Sequence, residues 1–277
     1  ARPPCCGCLA GLLGERQAGR QRHAPGRPLA EEKPRLAAEQ LAANPPAVEG
    51  LDGKPLQTVF APMVPNFVAA RIQGAGGELE DVKMESFFSA LGVYREAAPH
   101  LGKTVLWVFA DFDSNFTVCK KHFDEDPASR RTLRGFLQAD LDAGLHRPRH
   151  QGKPFLTDPS GACQLQWLLR AMEFFIASLH HIFVEGENKG FSAAYAETLS
   201  NYHSGMTAFG AKALLMAMPG KEGICALESI CPEAPDVNSR TACICHDMFE
   251  MTTAVLPVVR KMIAIMKEMD LWEDGRV

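Results

Sequence analysis

The segment from Gln164 to Phe183 constrains the fold of this chain more than any other stretch. At helical spacing it presents a broad apolar face and only a thin polar stripe, which is typical of a helix that others surround on most sides. The apolar residues are Trp167, Leu168, Ala171, Met172, Phe175, Ile176 and Leu179. Its Arg, Glu and His side chains leave fewer than the roughly 18 unbroken apolar residues of a bilayer span. We therefore expect the central helix of a soluble helical domain.

Composition narrows the class of protein and its compartment. The chain has 277 residues, a formal net charge of −4 and nine cysteines without a regular spacing. The length fits one domain of roughly 150 to 200 residues with additional material at one end. The weakly acidic balance argues against nucleic acid as a partner, because nucleic-acid-binding surfaces are usually basic. Unpatterned cysteines indicate reduced thiols, and the given N-terminal segment lacks a secretory apolar stretch, so we expect a cytosolic protein.

The distribution of apolar residues divides the chain into three regions. Residues 1–53 are rich in Arg, Pro, Gly and Ala, and we predict a disordered extension there. Its three cysteines could be acylated, but we interpret them as ordinary tail residues. Residues 54–83 are predicted to form a partly ordered arm, interrupted by Pro62 and Pro65. Residues 84–277 are predicted to form the functional domain.

Helical periodicity accounts for this domain without a sheet. The predicted helices span Met84–Ala98, Thr104–Phe123, Pro127–Ala143, Gln164–Phe183, Phe191–His203, Met206–Met218 and Met248–Leu271. An irregular insertion is expected over Lys221–Arg240. No segment shows sustained two-residue alternation bounded by turns, so no strand is expected. The sequence therefore predicts an all-α domain of seven or eight helices.

Polar side chains interrupt the apolar faces of two predicted helices. Asp111 and Asn115 lie four residues apart, so they project from one face of a helix that is otherwise apolar on that side. His203 follows Tyr195 and Leu199 at four-residue spacing, which places it on an aromatic face. Buried polar groups that neighbouring helices satisfy would explain these positions, and so would a binding site. The residues alone leave both interpretations open.

Motifs for catalysis and for metal binding are weak or missing. The sequence contains no glycine-rich phosphate loop, no H-E-x-x-H and no G-x-S-x-G, so we expect neither enzymatic activity nor a cofactor. Cys225 and Cys231 precede Cys243, Cys245 and His246, but the spacing lacks the paired C-x-x-C of a zinc knuckle. A metal-dependent enzyme using the last three of these residues is therefore only a third hypothesis, and no metal is expected.

Three fragments taken together resemble the glycolipid transfer protein family. They are ADFDSN with Asp111 and Asn115, QWLLRAMEFF with Trp167 and Arg170, and AYAETLSNYHSG with Tyr195, Tyr202 and His203. Their order and separations fit the family, and the resemblance extends over about Met84 to Val277. It implies a two-layer, all-helical sandwich of about eight helices that encloses an apolar lipid cavity. It also implies a protein that moves sphingolipids between membranes without changing them chemically.

The resemblance assigns roles to particular side chains. In the family, the Asp and Asn bind the headgroup sugar, the Asp also reaches the ceramide amide, the Trp stacks on the sugar and the His bonds the amide carbonyl. Those roles fall to Asp111, Asn115, Trp167 and His203. Possible supporting positions are Arg170, Tyr202 and Val118. Such partners matter because an unmade hydrogen bond costs a buried amide roughly 1 to 3 kcal/mol.

Two positions depart from the family pattern. Val118 stands where the family commonly has a Lys, so one headgroup donor is missing. Gly205 stands where relatives carry a Trp that docks on membranes. Membrane docking would therefore depend on other apolar groups. The candidates are Met206, Phe209, Leu271 and Trp272.

The headgroup class follows from charge. The branch of the family that carries ceramide-1-phosphate places Arg at the positions of Trp167 and Cys163. A phosphate of about −1.5 to −2 charge needs such cations, so their absence favours a sugar. Arg170 matches both branches, and we interpret it as half of a structural ion pair.

The sequence thus predicts a cytosolic, monomeric, non-enzymatic carrier of a glycosphingolipid that docks transiently on membranes. The alternatives are a carrier of ceramide-1-phosphate or plain ceramide, and a lipid sensor or adaptor that binds its ligand without transferring it.

Overall fold

The secondary structure is almost entirely helical. A computed structural model describes residues 45–148, 155–187, 189–203 and 205–274, and within these ranges the chain forms nine α-helices and one two-stranded sheet. The helices are α1 (Met63–Ala69), α2 (Met84–Ala97), α3 (Lys103–Glu125), α4 (Leu133–Asp142), α5 (Gly161–Phe183), α6 (Gly190–Glu197), α7 (Gly205–Met216), α8 (Lys221–Ala226) and α9 (Val237–Glu268). Short 3₁₀ turns occupy Ala98–Leu101, Leu199–Asn201 and Glu228–Ile230. The predicted all-α class is confirmed.

A small hairpin precedes α2. Strands β1 (Arg71–Gln73) and β2 (Leu79–Val82) pair antiparallel, so the prediction that no strand would occur was wrong here. Strands of three and four residues are too short to show a two-residue alternation in the sequence. Their connection contains three glycines, and Gly77 adopts a φ of 82°, which a residue without a Cβ reaches at no steric cost.

The predicted central helix is α5, and most of its residues are buried. It begins after Ser160, whose hydroxyl oxygen accepts a hydrogen bond from the Cys163 backbone N–H at 3.2 Å. Its neighbours include α3, α6 and α9, so its apolar side chains lie within one continuous core. The helix is therefore the element that the others surround.

Helices α3 and α5 run antiparallel. At one end Cys119, late in α3, lies with its sulfur 3.8 Å from the carbonyl oxygen of Gly161, the first residue of α5. At the other end the Tyr94 ring from α2 contacts Phe109, early in α3, at 5.7 Å between centroids, and Phe175, late in α5, at 4.7 Å. This arrangement determines which residues of α3 and α5 lie at the same level along the two helix axes.

A buried carboxylate joins α3, α4 and α5. Asp140 is fully buried, and its Oδ2 accepts a hydrogen bond from the Ala162 N–H at 2.7 Å. Its Oδ1 lies 2.9 Å from Nε2 of His122, whose ring meets Phe136 edge-on. The carboxylate thus satisfies an N–H in the first turn of α5, where the helix itself offers no partner.

Helix α9 continues through an internal proline. Pro257 has no N–H to donate to the carbonyl of Thr253, four residues earlier. The Nη2 of Arg71 donates to that carbonyl at 3.2 Å and to the carbonyl of Ala254 at 3.1 Å. A side chain from the β-hairpin therefore supplies a hydrogen bond that the helix cannot make for itself.

Several predicted helix ends differ from the observed ones. Helix α9 begins eleven residues before the predicted start at Met248, because the Asp236 carboxylate caps it by accepting from the N–H groups of Asn238 and Ser239. The expected irregular insertion over 221–240 was wrong, since it contains α8, a 3₁₀ turn and the first turn of α9. Helix α4 begins only at Leu133, where Thr132 caps it.

Residues 45–53, part of the predicted disordered extension, contact the folded domain. Nδ1 of His246 lies 2.6 Å from the carbonyl oxygen of Pro45. Val48 packs against a small apolar cluster that is separate from the main core; we call it the second cluster. Its members are Leu56, Cys231, Ala234 and Cys243. Residues 1–44 lie outside the described residues, so disorder there stays a prediction, as do the boundaries at 54–83 and 84–277.

Among the described residues, one helix is long and apolar enough to cross a membrane by length and composition. This helix is α9, and 61% of its most apolar window is buried inside the fold. A mostly buried core helix meets the same criteria, so the pattern is weak evidence for a membrane span.

Candidate functional site

The polar pair on α3 carries an unsatisfied acceptor. Asn115 is 1% exposed, and its Nδ2 donates to Oδ2 of Asp111 at 3.2 Å. Its carbonyl oxygen, Oδ1, is buried and has no hydrogen-bond partner among the described residues. A buried acceptor without a partner costs about 1 to 3 kcal/mol, so this position is suited to a donor that arrives with a ligand.

The antiparallel arrangement places Trp167 at the height of this pair. At 1.5 Å per residue, Asn115 and Asp111 lie about 6 and 12 Å along α3 from Cys119. Trp167 lies about 9 Å along α5 from Gly161, which contacts Cys119. The indole is therefore level with the Asp and the Asn on the neighbouring helix.

His203 packs on Trp167 of α5. The two rings are stacked, with centroids 5.9 Å apart and an interplanar angle of 25°. Tyr195 of α6 holds the imidazole through its hydroxyl, 3.1 Å from Nδ1. The second ring nitrogen, Nε2, is buried and has no hydrogen-bond partner in the part of the chain that the structure describes. The site thus presents a second polar atom that is unused in this conformation.

The route of the chain to His203 differs from the prediction. The predicted helix from Phe191 to His203 ends at Glu197, and the 3₁₀ turn Leu199–Asn201 follows. The His203 N–H still reaches the Leu199 carbonyl at 3.3 Å, so the turn returns the imidazole to Tyr195. The spacing of Tyr195 and His203 correctly indicated a shared face, but a turn and not a continuous helix produces it.

Arg170 lies in an aromatic cage. Its side chain is 1% exposed, and the guanidinium carbon lies 4.7, 3.6 and 5.3 Å from the ring centroids of Trp167, Tyr202 and Trp272. It donates to the carbonyl of Glu273, while Nε and Nη1 have no hydrogen-bond partner among the described residues. The expected structural ion pair is thus replaced by cation–π contacts and a backbone acceptor.

Residues 271–274 lie against Arg170 and Gln166 of α5, whereas Leu271 and Trp272 were predicted as membrane-docking groups. Leu271 and Trp272 are 1% and 5% exposed, so the suggestion that they dock on membranes was wrong. The Glu273 N–H donates to Oε1 of Gln166 at 2.6 Å, and its carboxylate accepts from the Leu156 N–H at 2.7 Å. No local sequence signal marks these contacts, since more than 100 residues separate the partners.

The charge state of His203 follows from its surroundings. Burial lowers the pKa of its imidazole, and the positive charge of Arg170 lowers this pKa further. The imidazole is therefore neutral at physiological pH, with one nitrogen carrying hydrogen and the other a lone pair. Burial also lowers the pKa of the Arg170 guanidinium, although such a group stays charged in proteins.

The remaining predicted positions surround this centre. Val118 is half-buried and offers no hydrogen bond. Gly205, where relatives carry a Trp, adopts a φ of 52°, a backbone conformation that side chains with a Cβ rarely adopt. Phe209 and Met216 on α7 are 77% and 71% exposed. The side chain of Met206, another docking candidate, lies outside the described residues.

The suggested metal site has no supporting geometry. The Cys243 sulfur faces that of Cys231 at 3.3 Å, and His246 contacts the Pro45 carbonyl. Cys243, Cys245 and His246 do not form a group with the spacing of metal ligands among the described residues. Within the described ranges, one group of side chains has the spacing of metal ligands, namely His181, Glu185 and Glu187 at the end of α5. There the His181 Nδ1 already pairs with Glu185 at 2.7 Å.

Fold and site together define a class of protein: an all-helical protein in which aromatic and unsatisfied polar groups are gathered beside an apolar core. The family model described as glycolipid transfer protein (GLTP) matches residues 82–228 of this chain. The chain therefore belongs to the glycolipid transfer protein family, whose members transfer lipids and are not enzymes. A comparison with curated protein sequences gave no match.

Solved structures show the same fold at low sequence identity. FAPP2, which selects simple glycosphingolipids using the GLTP fold, is 18% identical, with a TM-score of 0.64 over 79% of this chain and 100% of the other. Mouse ceramide-1-phosphate transfer protein is 15% identical, with a TM-score of 0.61 over 77% of this chain and 98% of the other. The fungal glycolipid transfer protein HET-C2 is 15% identical, with a TM-score of 0.57 over 80% and 96%.

Proposed function

We propose that this protein binds a glycosphingolipid and transfers it between membranes. Two buried atoms without a partner among the described residues carry the proposal: Nε2 of His203, whose ring stacks on Trp167, and Oδ1 of Asn115, at the level of Trp167 along the neighbouring helix. An N-acyl sphingolipid supplies hydroxyl and amide groups for these atoms, and its sugar has an apolar C–H face for the indole. Membership of the family supports lipid transfer as the activity.

Charge favours a sugar over a phosphate as the headgroup. A phosphate monoester needs several cations, whereas Trp167 and Cys163 occupy the positions where the phosphate-carrying branch has Arg. The guanidinium of Arg170 is enclosed by three rings and bonded to the Glu273 carbonyl. The polar groups at the level of Trp167 on α3 are Asp111 and Asn115, which suit neutral hydroxyls.

An exposed apolar face on α7 is suited to contact with a membrane. Phe209 and Met216 are seven residues apart, so they lie on one side of the helix, and both are more than two-thirds exposed. Lys212 lies between them and is also exposed, so it can contact lipid phosphates. We propose that a monomeric, cytosolic protein inserts these side chains transiently while it exchanges lipid, in place of the missing Trp at position 205.

Vesicle-to-vesicle transfer of fluorescent glucosylceramide or galactosylceramide tests the function. The parent protein should transfer lipid well above background, and Trp167→Ala and Asp111→Val should each lower the rate at least about tenfold, as expected for losing a buried contact. Asp113→Val is the matched control, because Asp113 pairs with Arg95 on the opposite, exposed side of α3. Background-level transfer by a folded parent protein would refute a transfer function.

A second candidate is a lipid sensor that binds its ligand and keeps it. Its motivation is the Gly at position 205 and the low exposure of Trp167, which is 8%. Lipid that copurifies with the protein but exchanges negligibly between vesicles would favour this function. Mass spectrometry of the retained lipid, with ceramide-1-phosphate and plain ceramide as competitors, separates the three headgroup classes.

A further inference from the structure

We propose that Tyr195 is a positioning residue that holds His203 as the neutral tautomer with its hydrogen on Nε2. The imidazole then presents an N–H donor to the ligand, and the matching ligand group is an acceptor such as the carbonyl oxygen of an N-acyl chain. The inference rests on the proposed function for its consequence in lipid transfer, while the tautomer itself is a property of the protein alone.

The geometry holds the imidazole on two sides. The Tyr195 hydroxyl lies 3.1 Å from Nδ1, and the two rings are tilted by 41° with centroids 5.7 Å apart. Tyr195 is 2% exposed, so its position is fixed by packing within the core. The stacked Trp167 ring restricts rotation of the imidazole from the other side. His203 therefore has one well-defined partner at Nδ1 and a second nitrogen directed elsewhere.

The direction of the hydrogen bond decides the tautomer. A neutral imidazole has one nitrogen with hydrogen and one with a lone pair, and the hydrogen bond made by the first nitrogen fixes the state of the second. A phenol O–H is a strong donor, and the lone pair of an imidazole nitrogen is a strong acceptor. With Tyr195 donating to Nδ1, the hydrogen of His203 must be on Nε2.

Burial keeps the imidazole in this neutral form, because it lowers the pKa of His203. Among the described residues, the positive charge of Arg170 on α5 lowers this pKa further. The phenols of Tyr195 and Tyr202 and the indole of Trp167 are uncharged neighbours. Protonation would turn Nδ1 into a second donor facing the Tyr195 hydroxyl, and the hydroxyl would then have to accept.

The tautomer determines which ligands fit. Nε2 is buried without a partner among the described residues, so an N–H there requires an acceptor from the ligand. An N-acylated sphingolipid offers a carbonyl oxygen, whereas its deacylated form offers an ammonium group, which is itself a donor. The protein should therefore discriminate against deacylated glycosphingolipids, and Tyr195 should contribute to that discrimination.

Nitrogen NMR of the full chain with ¹⁵N-labelled histidine tests the tautomer directly. The His203 signals are assigned by their loss in His203→Gln, and long-range proton–nitrogen correlations report which nitrogen carries hydrogen. The parent protein should show Nε2 protonated and Nδ1 as a hydrogen-bonded acceptor. Tyr195→Phe should shift the Nδ1 signal towards that of a free acceptor or a mixture of tautomers. Hydrogen on Nδ1 in the parent would overturn the proposal.

Tyr94→Phe is the matched control, because it also removes the hydroxyl of a buried tyrosine, but one whose ring meets Phe175 edge-on in the core. It should leave the His203 signals as in the parent. A shift as large as that of Tyr195→Phe would mean that the signal reports general core disturbance, and the assignment to Tyr195 would fail.

Transfer measurements connect the tautomer to function. Tyr195→Phe should slow glucosylceramide transfer about three- to tenfold, as expected for the loss of one hydrogen bond. In a His203→Gln background the same substitution should have no further effect, whereas a merely structural role would slow transfer equally in both backgrounds. Equal slowing would therefore refute positioning. Absence of transfer by the parent would refute the proposed function but leave the NMR result standing.

Discussion

At the scale of single residues, spacing along a helix predicted more than contacts between distant segments. The Asp111–Asn115 pair and the shared face of Tyr195 and His203 were visible in the sequence, because each depends on residues four or eight apart. The cage of Arg170 was not, since Trp272 lies about one hundred residues further along the chain. No local pattern reports which distant ring will cover a buried cation.

Arg170→Lys should destabilise the protein, although the charge is kept. A planar guanidinium lies against three rings and donates to the Glu273 carbonyl, and an ammonium cannot reproduce this stacking. We expect a loss of about 1 to 3 kcal/mol in the free energy of unfolding, measured with urea. Arg260→Lys on the exposed side of α9 serves as control and should change stability by less than about 0.5 kcal/mol.

Acidification should weaken the fold in part through His203. The pKa of this residue is lowered in the folded protein, so the unfolded chain binds more protons below its ordinary pKa of about 6.5. Its contribution to stability is therefore present above that value and falls as the pH drops towards the folded-state pKa. Urea unfolding at pH 7 and pH 5 should show a smaller loss for His203→Gln than for the parent. An equal loss in both proteins would contradict the neutral state of His203.

At the scale of helices, interiors were predicted well and several ends were not. Helix α5 ends at the predicted Phe183 because an apolar run meets a polar turn. Helix α6 stops at Glu197 without a Gly or Pro to mark the end, and the Thr198 hydroxyl donates back to the Ala194 carbonyl at 2.7 Å. This carbonyl also accepts from the Thr198 N–H at 2.9 Å, so the hydroxyl is its second donor. Ends made by such tertiary packing and side-chain contacts have no strong sequence signal.

The hydrogen bonds from Arg71 should stabilise the protein mainly when residue 257 of α9 is proline. Arg71→Ala should lower the free energy of unfolding by about 1 kcal/mol or more in the parent, because the Thr253 carbonyl loses its donor. In a Pro257→Ala background the helix supplies its own N–H, so the same substitution should cost less. A double-mutant cycle by urea unfolding measures this difference. Additive effects of the two substitutions would show that the carbonyl does not couple them.

At the scale of the whole molecule, the fold class was the most predictable feature. Helical periodicity along most of the chain predicted an all-helical domain around the apolar central helix, and α5 lies in one continuous core with its neighbours. The path of residues 45–62, the hairpin and the burial of residues 271–272 were not predictable. These segments are held by contacts with α9 or α5 and not by their own periodicity.

The exposed face of α7 should control membrane contact without altering the lipid site. Phe209→Ala with Met216→Ala should weaken vesicle binding and slow transfer about tenfold or more, since burying one such side chain contributes about 1.5 to 3 kcal/mol. The control Val68→Ala removes an apolar group that is 51% exposed on α1. Vesicle sedimentation and the transfer assay measure both effects. Unchanged sedimentation of the double variant would place the docking surface elsewhere.

We expect the second cluster to open separately from the main core. Leu56, Cys231, Ala234 and Cys243 share no member with the main core, and they hold the segment from residue 45 to Leu56 against α9. That segment can detach while the lipid-binding helices stay folded, because only the smaller set of contacts has to break. Its amides should therefore exchange with deuterium earlier than those of α5. The same opening would expose the thiols of Cys231 and Cys243, so their rate of alkylation should measure how often the segment detaches.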